Sequence, residues 1–251
     1  MGIPADFDKE YRKRFKELLL PQGFQYKQDM FIRVVNGEII QLITRLKRDP
    51  FYYIRFGVQS IYSSEIKNFE QLKAFCSSEL SNCINNSLEI TGHAFPEPPL
   101  DWLTKDTEDN YCIIRDNDVK TFFTRAVRLT KSHLLPIFQN INNMNDLVSF
   151  QKRTTHIWFL SVNDLIILRD QDDLEKQKKL WLSMEKEMYE QERYGDTYEE
   201  GEKRITQGFC HLVETRDKVL NDSDLLTKAD KENRHYAEVN LKSLRSWGIK
   251  C

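Results

Sequence analysis

GFQYKQDMFIRVVNGEIIQLITRLKRDPFYYIRFGVQSIY, residues 23–62, reads as three consecutive strands joined by turns. Phe24 to Val35 ends in Asn36-Gly37, the pair that best tolerates the two positive φ angles of a type I′ hairpin turn. Glu38 to Lys47 runs into Asp49-Pro50, where proline's fixed φ and missing donor favour a turn over continued pairing. Phe51 to Tyr62 alternates, with Tyr52, Ile54, Phe56, Val58 and Tyr62 on one side and Arg55 and Gln59 on the other. A period of two is the mark of a strand with one buried face, so the stretch predicts an antiparallel meander.

The segment before the meander supplies a partner for that face. Phe7, Tyr11, Phe15, Leu18 and Leu19 recur at three- and four-residue spacing, which predicts a helix over Asp6 to Leu20 with Asp6 as N-cap. Pro21 and Gly23 end it, the first by refusing to continue the helix and the second by permitting a left-handed turn. Its other side carries Lys9, Arg12, Lys13, Arg14 and Lys16, the pattern of a solvated helix face. A helix laid on an antiparallel sheet gives an α+β fold.

Arg33, Arg45 and Arg55 fall one on each strand and are expected near one another on the outer sheet face, with Gln41 and Gln59. Tyr26, Phe51 and Tyr53 would add aromatic area there. Arginines among aromatics on a sheet are one way to bind RNA, though no basic surplus surrounds these aromatics, and a protein-recognition face has the same look. Long side chains lying over a half-covered sheet give the same pattern, and the sequence leaves open whether that face is covered.

Downstream the chain turns helical. A helix is expected over Asn68 to Ile84, a proline-punctuated loop over Asn85 to Thr104, and a short strand over Tyr111 to Arg115. Val119 to Ile141 reads as a helix that Pro136 should kink or restart, and Asp146 as the cap of a short helix through Phe150. Ile157 to Leu168 is apolar throughout, so periodicity does not decide between strand and helix; its neighbours favour helix. Amphipathic helices follow at Asp173 to Tyr194, Lys203 to Leu220 and Lys231 to Trp247. The expected organisation is an α+β domain over 1–150 and a mostly α-helical extension over 151–251.

Composition bounds the function. The 251 residues have a formal net charge of -2, which gives no support to general binding of nucleic acid or an anionic membrane. No apolar run approaches the ~20 residues that span a bilayer, and Met1 to Asp8 lacks the basic and apolar regions of a secretory signal. Five cysteines at irregular spacing form neither a disulfide framework nor a zinc motif. These features point to the cytosol. No Gly-x-Gly-x-x-Gly or Walker loop, Gly-x-Ser-x-Gly elbow or His-Glu-x-x-His occurs, and the five histidines are scattered. The enzyme reading is therefore poor, and no cofactor is called for.

Charge is unevenly distributed along the chain. Asp170 to Lys203 holds twelve acids and six bases, while Met1 to Tyr62 holds eleven bases and seven acids. Trp181, Tyr189, Tyr194 and Tyr198 stand among the acids, with Glu185 and Glu192 between them. Aromatic anchors inside an acidic surround suit a basic protein partner, because opposed potentials raise association rates while the anchors supply affinity. A nucleic-acid module using Arg33, Arg45, Arg55 and Tyr53 is the second reading, and an enzyme with a dispersed site the third.

Leu18-Leu19-Leu20-Pro21-Gln22-Gly23-Phe24, the aromatic strand, Asn36-Gly37, Ile39 to Arg45 and the aromatic third strand together resemble a bacterial family of unknown function, number four-three-zero-four. Leu134-Leu135-Pro136-Ile137-Phe138 is similar to that family's helix carrying Leu-Pro-Phe. The resemblance covers roughly Asp6 to Phe150. It implies an α+β layout and the setting of small cytosolic proteins found beside contact toxins and their immunity proteins. It carries over no catalytic residue. On that analogy the basic partner would be a toxin, neutralised through the acidic helices.

Overall fold

Phe7, Tyr11, Phe15 and Leu19 recur every four residues, and all four are fully buried. They give the first helix, α1 (Ile3–Leu19), the single apolar stripe that seats it on the sheet. The structure, a computed structural model, describes residues 3–48, 51–76, 78–79, 118–151, 162–169 and 198–251. It is α+β, an N-terminal helix on an antiparallel sheet followed by a mostly helical second half. A 3-10 turn at Leu20–Gln22 closes α1, and Gly23 takes the left-handed conformation at φ 83°.

The strands are β1 (Gln25–Lys27), β2 (Met30–Val35), β3 (Ile39–Arg48), β4 (Phe51–Ser60) and the two-residue β5 (Ser78–Glu79), antiparallel and in sequence order. The expected first strand is thus two strands. Gln28 and Asp29 both adopt positive φ, 41° and 64°, and Lys27 pairs with Met30 across them. That is a two-residue hairpin made without glycine. Asn36 and Gly37 also have positive φ, and Glu38 N–H donates to Val35 O at 3.0 Å. Asp49 and Pro50 lie outside the described residues, between the paired Arg48 and Phe51.

Register settles which side chains share a face, because directly opposed residues in an antiparallel pair point the same way. Tyr26, Phe31, Arg33, Gln41, Ile43, Arg45, Ile54, Phe56 and Val58 form the α1 side. Met30, Ile32, Ile40, Leu42, Thr44, Arg55, Gly57 and Gln59 form the other. The shared outer face expected for Arg33, Arg45 and Arg55 is therefore corrected. Arg45 lies opposite Ile54, while Arg55 lies opposite Thr44.

Both faces are covered over the middle of the sheet. On the α1 side, Phe7 meets Phe122 and Phe123 of α3 (Asp118–Leu129), with ring centroids 5.7 and 4.9 Å apart. Phe138 of α4 (Leu135–Gln139) packs on Phe24 and Phe56. A π-helical turn, Thr130–Leu134, joins α3 to α4, with Leu135 N–H reaching back to Thr130 O. The widened turn lies just ahead of Pro136, whose missing donor would leave an α-helical ladder short of one bond.

On the far face Met30, Ile32, Ile40 and Leu42 are fully buried. Phe75, at the end of α2 (Phe69–Ala74), approaches Gly57, and Gln25 holds both backbone groups of Lys250 through its side chain. Asn68 caps α2 by accepting from Gln71 N–H at 2.9 Å. The helix expected through Ile84 stops at Ala74, and Ser78 and Glu79 pair with Phe56 and Arg55 instead. The strand expected over Tyr111 to Arg115 lies outside the described residues.

The remaining helices are α5 (Met144–Gln151), α6 (Val162–Leu168), α7 (Tyr198–Leu220) and α8 (Ser223–Ser246). Helix is the observed state of the described part of Ile157 to Leu168. Val148, Leu165, Phe209 and Leu212 form a separate small core, with Val162, Leu168 and Val213 against it. Asp222 starts α8 by accepting from Asp224 and Leu225 N–H, both at 3.0 Å. The helix expected over Asp173 to Tyr194 lies outside the described residues. Two compact units result, one of Met1–Ile61, Ile66–Asn143 and Val239–Cys251, the other of Tyr62–Glu65 and Met144–Glu238.

Within the first unit a buried amide fixes a chain reversal. Asn240 donates to Ile61 O and accepts from Ile66 N–H, both at 2.7 Å. Asn240→Ala is expected to leave both backbone groups unsatisfied and to cost about 2 kcal/mol in a urea titration. A loss below about 0.5 kcal/mol would mean that water replaces the amide without penalty.

Candidate functional site

The residues expected at the acidic surface and at the alternative sheet face divide as follows. Trp181, Glu185, Tyr189, Glu192 and Tyr194 lie outside the described residues. Tyr198 is the first residue of α7 and Tyr53 sits in β4, their side chains likewise undescribed. Arg33, Arg45 and Arg55 are described, and the first two are drawn into the fold.

Arg33 donates through Nε to Gln41 Oε1 at 2.8 Å and through a terminal nitrogen to Gln22 O at 2.9 Å. Its guanidinium lies over the Phe24 ring, 4.8 Å from the centroid. It therefore ties the turn after α1 to β2, and burial pulls its pKa down. Gln41 passes the connection on by donating to Phe138 O in α4 and to Ile141 O just past its end. Arg55 is half-buried on the opposite face.

Arg45 is the hub of a polar cluster that joins α1 to the β1–β2 turn. It donates to Asp8 Oδ1 of α1 at 2.5 Å and to Asp29 Oδ2 of the β1–β2 turn at 3.2 Å, and lies over the Tyr11 ring. Tyr26 donates to Asp29 Oδ1 at 2.7 Å, and Tyr11 donates to the backbone of Asp29 and Ile43. Burial alone would lower the Arg45 pKa, but the hydrogen bond to Asp8 and the charges of Asp29 and Asp8 outweigh it and raise it. Burial likewise pushes Asp29 up, while hydrogen bonds from Tyr26 and Arg45 and the charges of Arg45 and Arg12 bring it below its ordinary value. Tyr11 is raised well above its ordinary value, chiefly by burial.

This geometry can hold a glycine-free hairpin in place. Its donors and acceptors face one another. The sequence carried one sign of it, since Asp tolerates the left-handed conformation better than most residues. Asp8, Tyr11 and Tyr26 became legible as its partners only through the register.

The cluster makes stability acid-sensitive. Because the folded pKa of Asp29 lies below its ordinary 3.8, its contribution is fully present above that value. It is lost as pH falls through the lowered value. Asp29→Asn should therefore flatten the acid limb of a stability–pH curve below about pH 4. An unchanged limb would show that other carboxylates set it.

Burial pushes the Cys76 thiol up to about 12, so it stays protonated at neutral pH. Among the described residues no three His, Cys, Asp or Glu side chains group to hold a metal ion, and no helix is long and apolar enough to cross a membrane. No family model matches the chain, and the comparisons with curated proteins and with solved structures found no match.

Proposed function

We propose that this chain is a cytosolic, non-enzymatic protein-binding module of the immunity type, which neutralises a basic toxin through the acidic helical stretch 170–203. The reading includes kinship with the resembled bacterial family. One observation carries it. Arg33 and Arg45, the strongest alternative binding residues, are spent on internal hydrogen bonds and lie on the α1-covered face, while Arg55 is on the other. These bonds favour the sheet as scaffold. Residues 170–203 carry an acidic excess, twelve acids against six bases, with Trp181 and three tyrosines among them. A surface so composed attracts a basic partner over long range and grips it through the aromatics.

The test is co-expression with its genomic neighbours, capture of the complex and titration of the purified pair. Trp181→Ala should weaken binding by about 2 kcal/mol, roughly thirtyfold. Glu185→Lys with Glu192→Lys should slow association and reduce its dependence on salt. Failure to retain any tight basic partner, or indifference of binding to all three substitutions, would sink the reading.

A further inference from the structure

No further inference is drawn: the strongest candidate, the exposed basic surface patch on α1 and the α3–π-turn segment (Lys9, Arg12, Lys13, Lys120 and Lys131), carries nothing because nothing in the structure shows what covers it and a solvated helix face accounts for it fully.

Discussion

Gly57→Ala should destabilise the protein by about 3 kcal/mol or more, at the upper end of what overpacking costs. A Cβ at position 57 would lie 2.2 Å from Phe75 O, 2.7 Å from Phe75 C and 3.1 Å from Cys76 N. All three are backbone atoms, so no side chain can swing aside. The backbone there is also held from both directions. Phe75 N–H donates to Leu72 O and Cys76 N–H to Lys73 O, while Ser78 and Glu79 pair with β4 just beyond. Relief would require either shifting the end of α2 off the sheet or opening the Leu42–Gly57 pairing between β3 and β4. The penalty is one of space, since Gly57 is not among the positive-φ residues, in contrast to Gly37, where nothing lies within 4 Å. Urea unfolding would measure the loss, and amide exchange at Phe75 and Cys76 should accelerate more than in the β2–β3 pair. Stability within about 0.5 kcal/mol of the parent would mean that α2 shifts freely and that the close approach does not constrain the fold.

The same glycine illustrates where the sequence is legible. In the strand alternation, position 57 falls with Arg55 and Gln59, away from Ile54, Phe56 and Val58, and the structure places it so. What the letters do not contain is the second layer approaching from beyond, since Phe75 is far away along the chain. The Phe7–Tyr11–Phe15–Leu19 stripe and the Asn36-Gly37 turn are local facts, set by helical period and by tolerance of positive φ, and both are readable. Gln28 and Asp29 form an equally tight turn that is not. Gln has no special affinity for φ of 41°, and the turn is held from outside by Tyr11, Tyr26 and Arg45.

The arginines fail for a different reason. Within one strand, side-chain direction follows from counting by two, but between strands it depends on the loop. Val35 pairs with Ile39 and Arg48 with Phe51, which puts Arg33 beside Gln41 and Arg45 beside Ile54. A one-residue change in the 49–50 connection would have brought Arg45 and Arg55 together. The candidate acidic surface was legible only as composition, since charge and aromatic content can be counted along 170–203 while their arrangement depends on packing that counting does not supply.

Gln41→Leu should cost about 4 kcal/mol, although leucine nearly matches the volume of glutamine. The side chain is fully buried and makes three hydrogen bonds: Nε2 donates to Phe138 O at 2.7 Å and Ile141 O at 3.1 Å, and Oε1 accepts from Arg33 Nε at 2.8 Å. Leucine keeps the packing and removes all three. Phe138 O retains Ile141 N–H, at 3.3 Å, so the loss is concentrated on Ile141 O and on the guanidinium. A buried backbone acceptor left unsatisfied costs about 1–3 kcal/mol, and a charged donor more. The partners belong to one network, so Arg33→Met combined with Gln41→Leu should cost clearly less than the two single substitutions added together. That non-additivity separates a polar network from simple crowding, which would leave the two costs independent. If Gln41→Leu loses under about 1 kcal/mol by urea titration, water or a shifted Arg33 replaces the amide, and the link from sheet to α4 is packing alone. If it loses the full amount, the sheet's most buried polar residue is the fastener that sets α4 on the sheet, and its polarity serves the fold.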